Sequence, residues 1–181
     1  MSAVKNMFDL SVEGLIERAG NTEAQLPVDE LRLLKDVPLI DLKGGKYGKG
    51  EVIAEMEINP DLWFFKCHFP GDPIMPGCLG LEGLWQTVGM FLFFQGIDGK
   101  VRALGVGELK LSGEVLPTVK KLQFHVHIKK LMKRGCSVAL ADGEVRADGE
   151  LIYSAKGIKV GIFPSAEGTK GAAPATLEGV S

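Results

Sequence analysis

His68 sits in a turn-rich segment, Phe65-Lys66-Cys67-His68-Phe69-Pro70-Gly71-Asp72-Pro73. A Pro76-Gly77 pair follows, then an apolar run, Leu79 to Phe94, that contains one acid, Glu82. An unpaired carboxylate is costly to bury in such a run, so Glu82 needs a reason to be there. A histidine on a loop and an acid on the next helix can meet in a pocket and move protons to and from a substrate. Between them, Gly77 and Cys78 fall at the expected helix start. There the backbone N–H groups lack intrahelical acceptors and favour negative charge. Gly77 has no side chain, so its N–H can approach a carbonyl oxygen that gains charge during reaction.

This set suits proton abstraction beside a thioester or similar carbonyl. His68 would take the α-proton, Gly77 N–H would hold the enolate-like oxygen, and Glu82 would donate to a leaving hydroxyl. Enclosure in the apolar helix is expected to raise the Glu82 pKa and help it act as an acid. Cys78 and Glu82 are i and i+4 on one helix face, with Trp85 and Gln86 on or near it. The candidate catalytic residues are therefore His68 and Glu82, and the candidate substrate-binding residues are Phe69, Ile74, Gly77, Cys78, Trp85 and Gln86. Cys78 at a tight helix start is expected to be core packing rather than a nucleophile. Cys67, His68 and Cys78 lack a compact Cys-x-x-Cys pair, so no metal site is expected there. His125 and His127 alternate on a strand and share a face, where surface or interface packing is the expectation. Gly105-Val106-Gly107 is too short for a nucleotide loop.

The elements that must position these groups are legible in the periodicity. Ser11–Arg18 reads as a short helix with Ser11 as N-cap. Val28–Leu34 reads as a second helical turn, Val37–Leu42 as extended, and Lys43–Gly50 as a glycine-rich turn. Glu51–Ile58 alternates polar and apolar, the signature of a half-buried strand. Pro76 fits the first turn of the central helix and Gly96 its stop. That helix is apolar nearly all round and is expected to be surrounded by protein. Strands are expected at Arg102–Leu111, Lys121–Lys130, Ser137–Val145 and Glu150–Gly161, with Asp148-Gly149 as a hairpin turn. Short connections imply antiparallel neighbours. A sheet must bury one face, and the economical solution is an α+β hot-dog fold, an antiparallel sheet wrapped around the apolar helix. Residues 1–163 are expected to form one domain and residues 164–181 a disordered tail.

The chain has 181 residues, 45% apolar and 24% charged, with a formal net charge of −2. That is ordinary globular composition, with no whole-protein reason to bind nucleic acid. Three cysteines and no secretory pattern at Met1–Leu10 point to reduced thiols in the cytoplasm. The apolar run is short for a bilayer span of ~20 residues, so no membrane insertion is expected. Positive charge gathers at Lys129, Lys130, Lys133 and Arg134, with Lys159 on a later strand.

Asn59-Pro60-Asp61-Leu62-Trp63-Phe64-Phe65, Cys67-His68-Phe69, Gly71-Asp72-Pro73 and Met75-Pro76-Gly77-Cys78-Leu79-Gly80-Leu81 closely resemble the bifunctional 3-hydroxydecanoyl-acyl-carrier-protein dehydratase/isomerases of bacterial type II fatty acid synthesis. The likeness continues through Arg102–Glu108, Val115–Thr118, Ala141–Val145, and Leu151–Tyr153 with Lys159–Gly161, about residues 12 to 163 in all. The resemblance implies a hot-dog homodimer without cofactor or metal. The histidine of one chain would face the helix acid of the other. It assigns His68 as the catalytic histidine and Gly77 as the donor to the thioester carbonyl. It implies a 3-hydroxyacyl chain delivered on acyl carrier protein. Because such carriers are acidic, Lys129, Lys130, Lys133, Arg134 and Lys159 become the candidate docking residues. One position departs: the family has aspartate where this chain has Glu82, as dehydratase-only relatives do. One methylene shifts the carboxyl relative to a C3 hydroxyl or C4 proton, and reactivity is sensitive to such displacement. Dehydration is therefore the firmer expectation than trans-2 to cis-3 isomerisation. A hot-dog thioesterase, or a non-catalytic acyl-binding subunit, are the other readings.

Overall fold

A computed structural model describes residues 11, 12, 14, 15 and 26–164. Much of the helix expected at Ser11–Arg18, and residues 165–181 of the expected tail, fall outside these residues. Within them, Ser11 does cap: its Oγ accepts from Gly14 N–H at 3.2 Å.

The secondary structure runs β1 (Asp36–Asp41), β2 (Glu51–Glu57), α1 (Gly77–Phe94), β3 (Lys100–Gly105), β4 (Glu108–Leu111), β5 (Lys121–Arg134), β6 (Cys136–Ala147) and β7 (Glu150–Phe163). Single 3-10 turns occupy Asp29–Leu31 and Trp63–Lys66. The first replaces the longer helical segment expected at Val28–Leu34, because Leu33 and Leu34 turn into the core instead. All strands join one seven-stranded antiparallel sheet in the order β1-β2-β5-β6-β7-β3, with β4 also on β7.

Alternation builds the concave face. Val52, Ala54 and Met56 of β2, and Leu122, Phe124, Val126 and Ile128 of β5, point inward and are buried. They meet Leu84, Val88, Phe91 and Leu92 of α1, all buried. Apart from Ala54, each such side chain contributes ~1.5–3 kcal/mol of hydrophobic stabilisation on full burial. The helix is therefore the filling of a hot-dog sheet, as expected. It is long and apolar enough to cross a bilayer, but 67% of it is buried inside the domain.

Three sequence expectations shift. The strand expected at Arg102–Leu111 breaks into β3 and β4 at Val106-Gly107, where Gly105 takes φ +142. The turn expected at Lys133-Arg134-Gly135 shrinks to Gly135 at φ +72, so β5 continues to Arg134. Among the described residues the helix is not enclosed on every side: Leu81, Glu82 and Trp85 are half-buried and Cys78 is exposed, forming one open stripe. The Asp148-Gly149 hairpin is as expected, with both residues at positive φ (47° and 94°).

Candidate active site

His68 is held by a folded-back loop. Its N–H donates to Phe64 O at 2.9 Å, and its O accepts from Ile74 N–H at 2.9 Å. Phe69 and Asp72 exchange two backbone hydrogen bonds, both 2.9 Å. The ring is oriented as firmly. His68 Nδ1 lies 3.1 Å from Ile74 O. A carbonyl only accepts, so Nδ1 carries the proton in this contact and Nε2 offers its lone pair. That is the tautomer a general base needs. Phe69 stacks on the ring at 4.0 Å between centroids and is itself half-exposed.

His68, Ile74 and Gly77 line one groove of about 700 Å³, with Met75, Leu111 and Tyr153 among its walls. Leu111 lies over Gly77 so closely that a Cβ there would sit 2.6 Å from Leu111 Cδ1. Gly77 is the first residue of α1, with Pro76 as its N-cap, so its amide is among those without an intrahelical acceptor. Partly apolar walls, one oriented imidazole and a helix-start glycine thus share one space.

Tyr153 and Glu114 also line this groove, and neither is apparent from the sequence. Burial, then the Glu114 carboxylate and Cys78, push the Tyr153 phenol above its usual range, so it stays protonated at neutral pH. The ring packs on Gly80, where a Cβ would come within 2.4 Å of Tyr153 Cε2. Only contacts between α1 and β7 place it there, and no local pattern signals them.

Glu82 is elsewhere. It lines a second groove of about 660 Å³ with Trp85, Gln86, Val101, Arg102 and Ala103, beside the edge strand β3. Within one chain, then, His68 and Glu82 do not share a cavity. The enclosure expected for Glu82 is only partial: it is half-buried, and its Oε1 accepts from Gln86 Nε2 at 2.9 Å. Gln86 is 4% exposed. Its Nε2 also donates to Leu31 O at 2.8 Å, and its Oε1 accepts from Leu33 N–H at 3.2 Å. The amide is committed to the chain on every side, which makes Gln86 a clip that holds Glu82 and the Leu31–Leu33 segment in place. Trp85 Nε1–H donates to Gly105 O at 3.4 Å, tying the helix to the end of β3. Cys78 is exposed rather than packed in the core, because the helix start emerges from under the sheet.

The candidate docking lysines lie on the sheet. Lys129 pairs with Asp142 at 3.3 Å and sits over the Tyr47 ring, while Lys130 and Lys133 are exposed on β5. Arg134 ends β5, and Lys159 on β7 pairs in register with Leu140 and Gly105.

Residues 26–156 match the family described as the FabA-like domain. Solved structures with the same fold include the dehydratase heterocomplex ApeI:P from Xenorhabdus doucetiae. It is 12% identical with a TM-score of 0.59, over 84% of this chain and 91% of that one. AziG from S. sahachiroi is 13% identical with a TM-score of 0.52, over 78% of this chain and 99% of that one. A phenylacetic acid degradation-related protein from Ralstonia eutropha JMP134 is 16% identical with a TM-score of 0.52, over 70% and 83% of the two chains.

Proposed function

Because the chain belongs to the FabA-like domain family, we propose that it is a 3-hydroxyacyl-acyl-carrier-protein dehydratase of the cytoplasm that works as a homodimer with shared sites. The observation that carries this reading is the oriented His68, Nδ1–H bonded to Ile74 O, in one groove with the Gly77 amide. His68 Nε2 takes the C2 proton of the 3-hydroxyacyl thioester. Gly77 N–H holds the carbonyl oxygen as charge builds on it. Glu82, as the acid, gives its proton to the C3 hydroxyl, which leaves as water while the C2–C3 double bond forms. Phe69, Ile74, Cys78 and Trp85 border the acyl path, and Gln86 positions Glu82.

The separate grooves of His68 and Glu82 support a reading in which the acid is supplied by a second chain. The Glu82 groove opens beside β3, an edge strand whose outer backbone groups are available to another strand. Pairing there would lay one chain's uncovered helix stripe against its partner.

Incubation with a set of 3-hydroxyacyl thioesters should yield trans-2-enoyl thioester and water, followed by mass spectrometry of the products. Free acid instead would make the protein a thioesterase in which Glu82 activates water, a reading the separate Glu82 groove also accommodates. No turnover, and no change on His68 substitution, would leave an acyl-binding subunit. Supplying trans-2-decenoyl thioester tests the isomerase step: cis-3 product should be small or absent, because the longer glutamate displaces the carboxyl from C4.

Lys129, Lys130, Lys133, Arg134 and Lys159 are proposed to dock the acidic carrier protein. Charge reversal at Lys130 and Lys133 should raise KM for carrier-bound substrate and leave KM for a small soluble thioester unchanged. Equal changes for both substrates would remove the docking assignment.

A further inference from the structure

A cluster that the catalytic reading does not use lies on the outer face of the sheet. His125 and His127 are neighbours on one face of β5, their rings 4.1 Å apart between centroids. Glu51, the first residue of β2, stands directly across from His127 in the strand register. Its Oε2 is 2.8 Å from His125 Nε2 and 3.5 Å from His127 Nδ1. One ligand atom from each residue falls within 4.8 Å of the others. The three side chains are only 21%, 22% and 19% exposed. None of them lines either groove described above.

The turn between β1 and β2 closes over this cluster. Lys46 N–H donates to His127 Nδ1 at 3.2 Å, and Tyr47 O–H donates to Asp142 Oδ2 at 2.5 Å. Gly45 has φ +77, and a Cβ there would lie 3.1 Å from His127 Nδ1, so only glycine lets the turn come this near.

We propose that Glu51, His125 and His127 form a binding site for a divalent cation of the zinc class. Two imidazoles and one carboxylate are the donor set that zinc and its neighbours take. Metal–ligand bonds of 2.0–2.2 Å in tetrahedral geometry put neighbouring donors about 3.3 Å apart. The two nitrogen–oxygen distances here bracket that value, so binding needs only small side-chain shifts. The carboxylates facing the cluster from β6, Asp142 and Glu144, are opposite His127 and His125 in register and are engaged by Lys129 and Arg146. They leave Glu51 as the carboxylate donor. Three protein donors leave one position for water or another ligand.

The bond from Lys46 N–H uses the His127 Nδ1 lone pair that faces Glu51. A cation at that nitrogen takes its place, so the Lys46 amide reports occupancy.

Calorimetric titration of chelator-treated protein with Zn²⁺ should show one saturable site per chain. Co²⁺ bound there should lack a thiolate charge-transfer band. Glu51→Gln and His125→Ala should each weaken Zn²⁺ binding at least about tenfold, the loss that even outer-shell partners of a metal can cause. The Lys46 amide resonance should move on Zn²⁺ addition in the unaltered protein and move only at correspondingly higher Zn²⁺ in Glu51→Gln. Absence of saturable binding overturns the site. So does undiminished binding in both variants, or a thiolate band, which would hand the metal to Cys67, Cys78 or Cys136.

Discussion

Mixed dimers of His68→Asn and Glu82→Gln chains should regain dehydratase activity that neither variant has alone. Each substitution removes one proton-transfer group, and such groups contribute ~10²–10⁴-fold in rate. Both are chosen to keep the local hydrogen bonds. Asparagine can still donate to Ile74 O, and glutamine at 82 can still accept from Gln86 Nε2. In a symmetric dimer, random mixing makes half the dimers hybrid, each with one intact site. Recovery should therefore reach about one quarter of the wild-type sites in the unsorted mixture and about one half in isolated hybrids. The variants would be co-expressed with different tags and the hybrids isolated. Hybrids that form yet stay inactive would show that His68 and Glu82 do not complete one site. A chain that never associates would remove the shared-site reading itself, since the two groups line separate grooves in one chain.

Gly83→Ala should lower the melting temperature, although alanine favours helix over glycine by ~1 kcal/mol. A Cβ at 83 would come 2.3 Å from Phe124 Cε1 and 2.4 Å from its Cζ. Phe124 is fully buried and cannot swing away, so the added methyl overpacks the seam between helix and sheet by ~1–3 kcal/mol. Phe124→Ala alone should cost ~3–5 kcal/mol through lost burial and the cavity left. The double variant should cost less than the sum, because the methyl then has space; residues in contact couple in this way. Urea unfolding of all four proteins gives the cycle. Stabilisation by Gly83→Ala would mean that the helix does not lie this close to β5.

Much of the fold is legible because hydrophobic period and turn chemistry are local. The alternation of β2, the hairpin at Asp148-Gly149 and the apolar helix between Pro76 and Gly96 need no knowledge of neighbours. The misjudged places are those where long-range packing prevails. A helix apolar on all sides suggests full enclosure, yet its Cys78–Glu82–Trp85 stripe is left partly open by the described residues. Gln86 looks like a polar residue facing a ligand, but its amide is taken up by Leu31 and Leu33, distant in sequence. The glycines at 80 and 83 carry no obvious message until the Tyr153 and Phe124 rings are seen against them.

Residue order alone names the candidates: a loop histidine, a helix-start glycine and a helix acid, His68, Gly77 and Glu82, on a sheet wrapped about one apolar helix. Residue type and spacing suffice for that, because turns, caps and period are properties of short segments. Tertiary structure alone decided which of these meet. The loop that turns His68 back onto Ile74 places it with Gly77, while the outward turn of α1 carries Glu82 to the β3 edge. Glu51, His125 and His127 likewise come together only because β2 and β5 pair in one particular register. Strand register and helix rotation are set by the packing of the whole core, which no short window of residues contains.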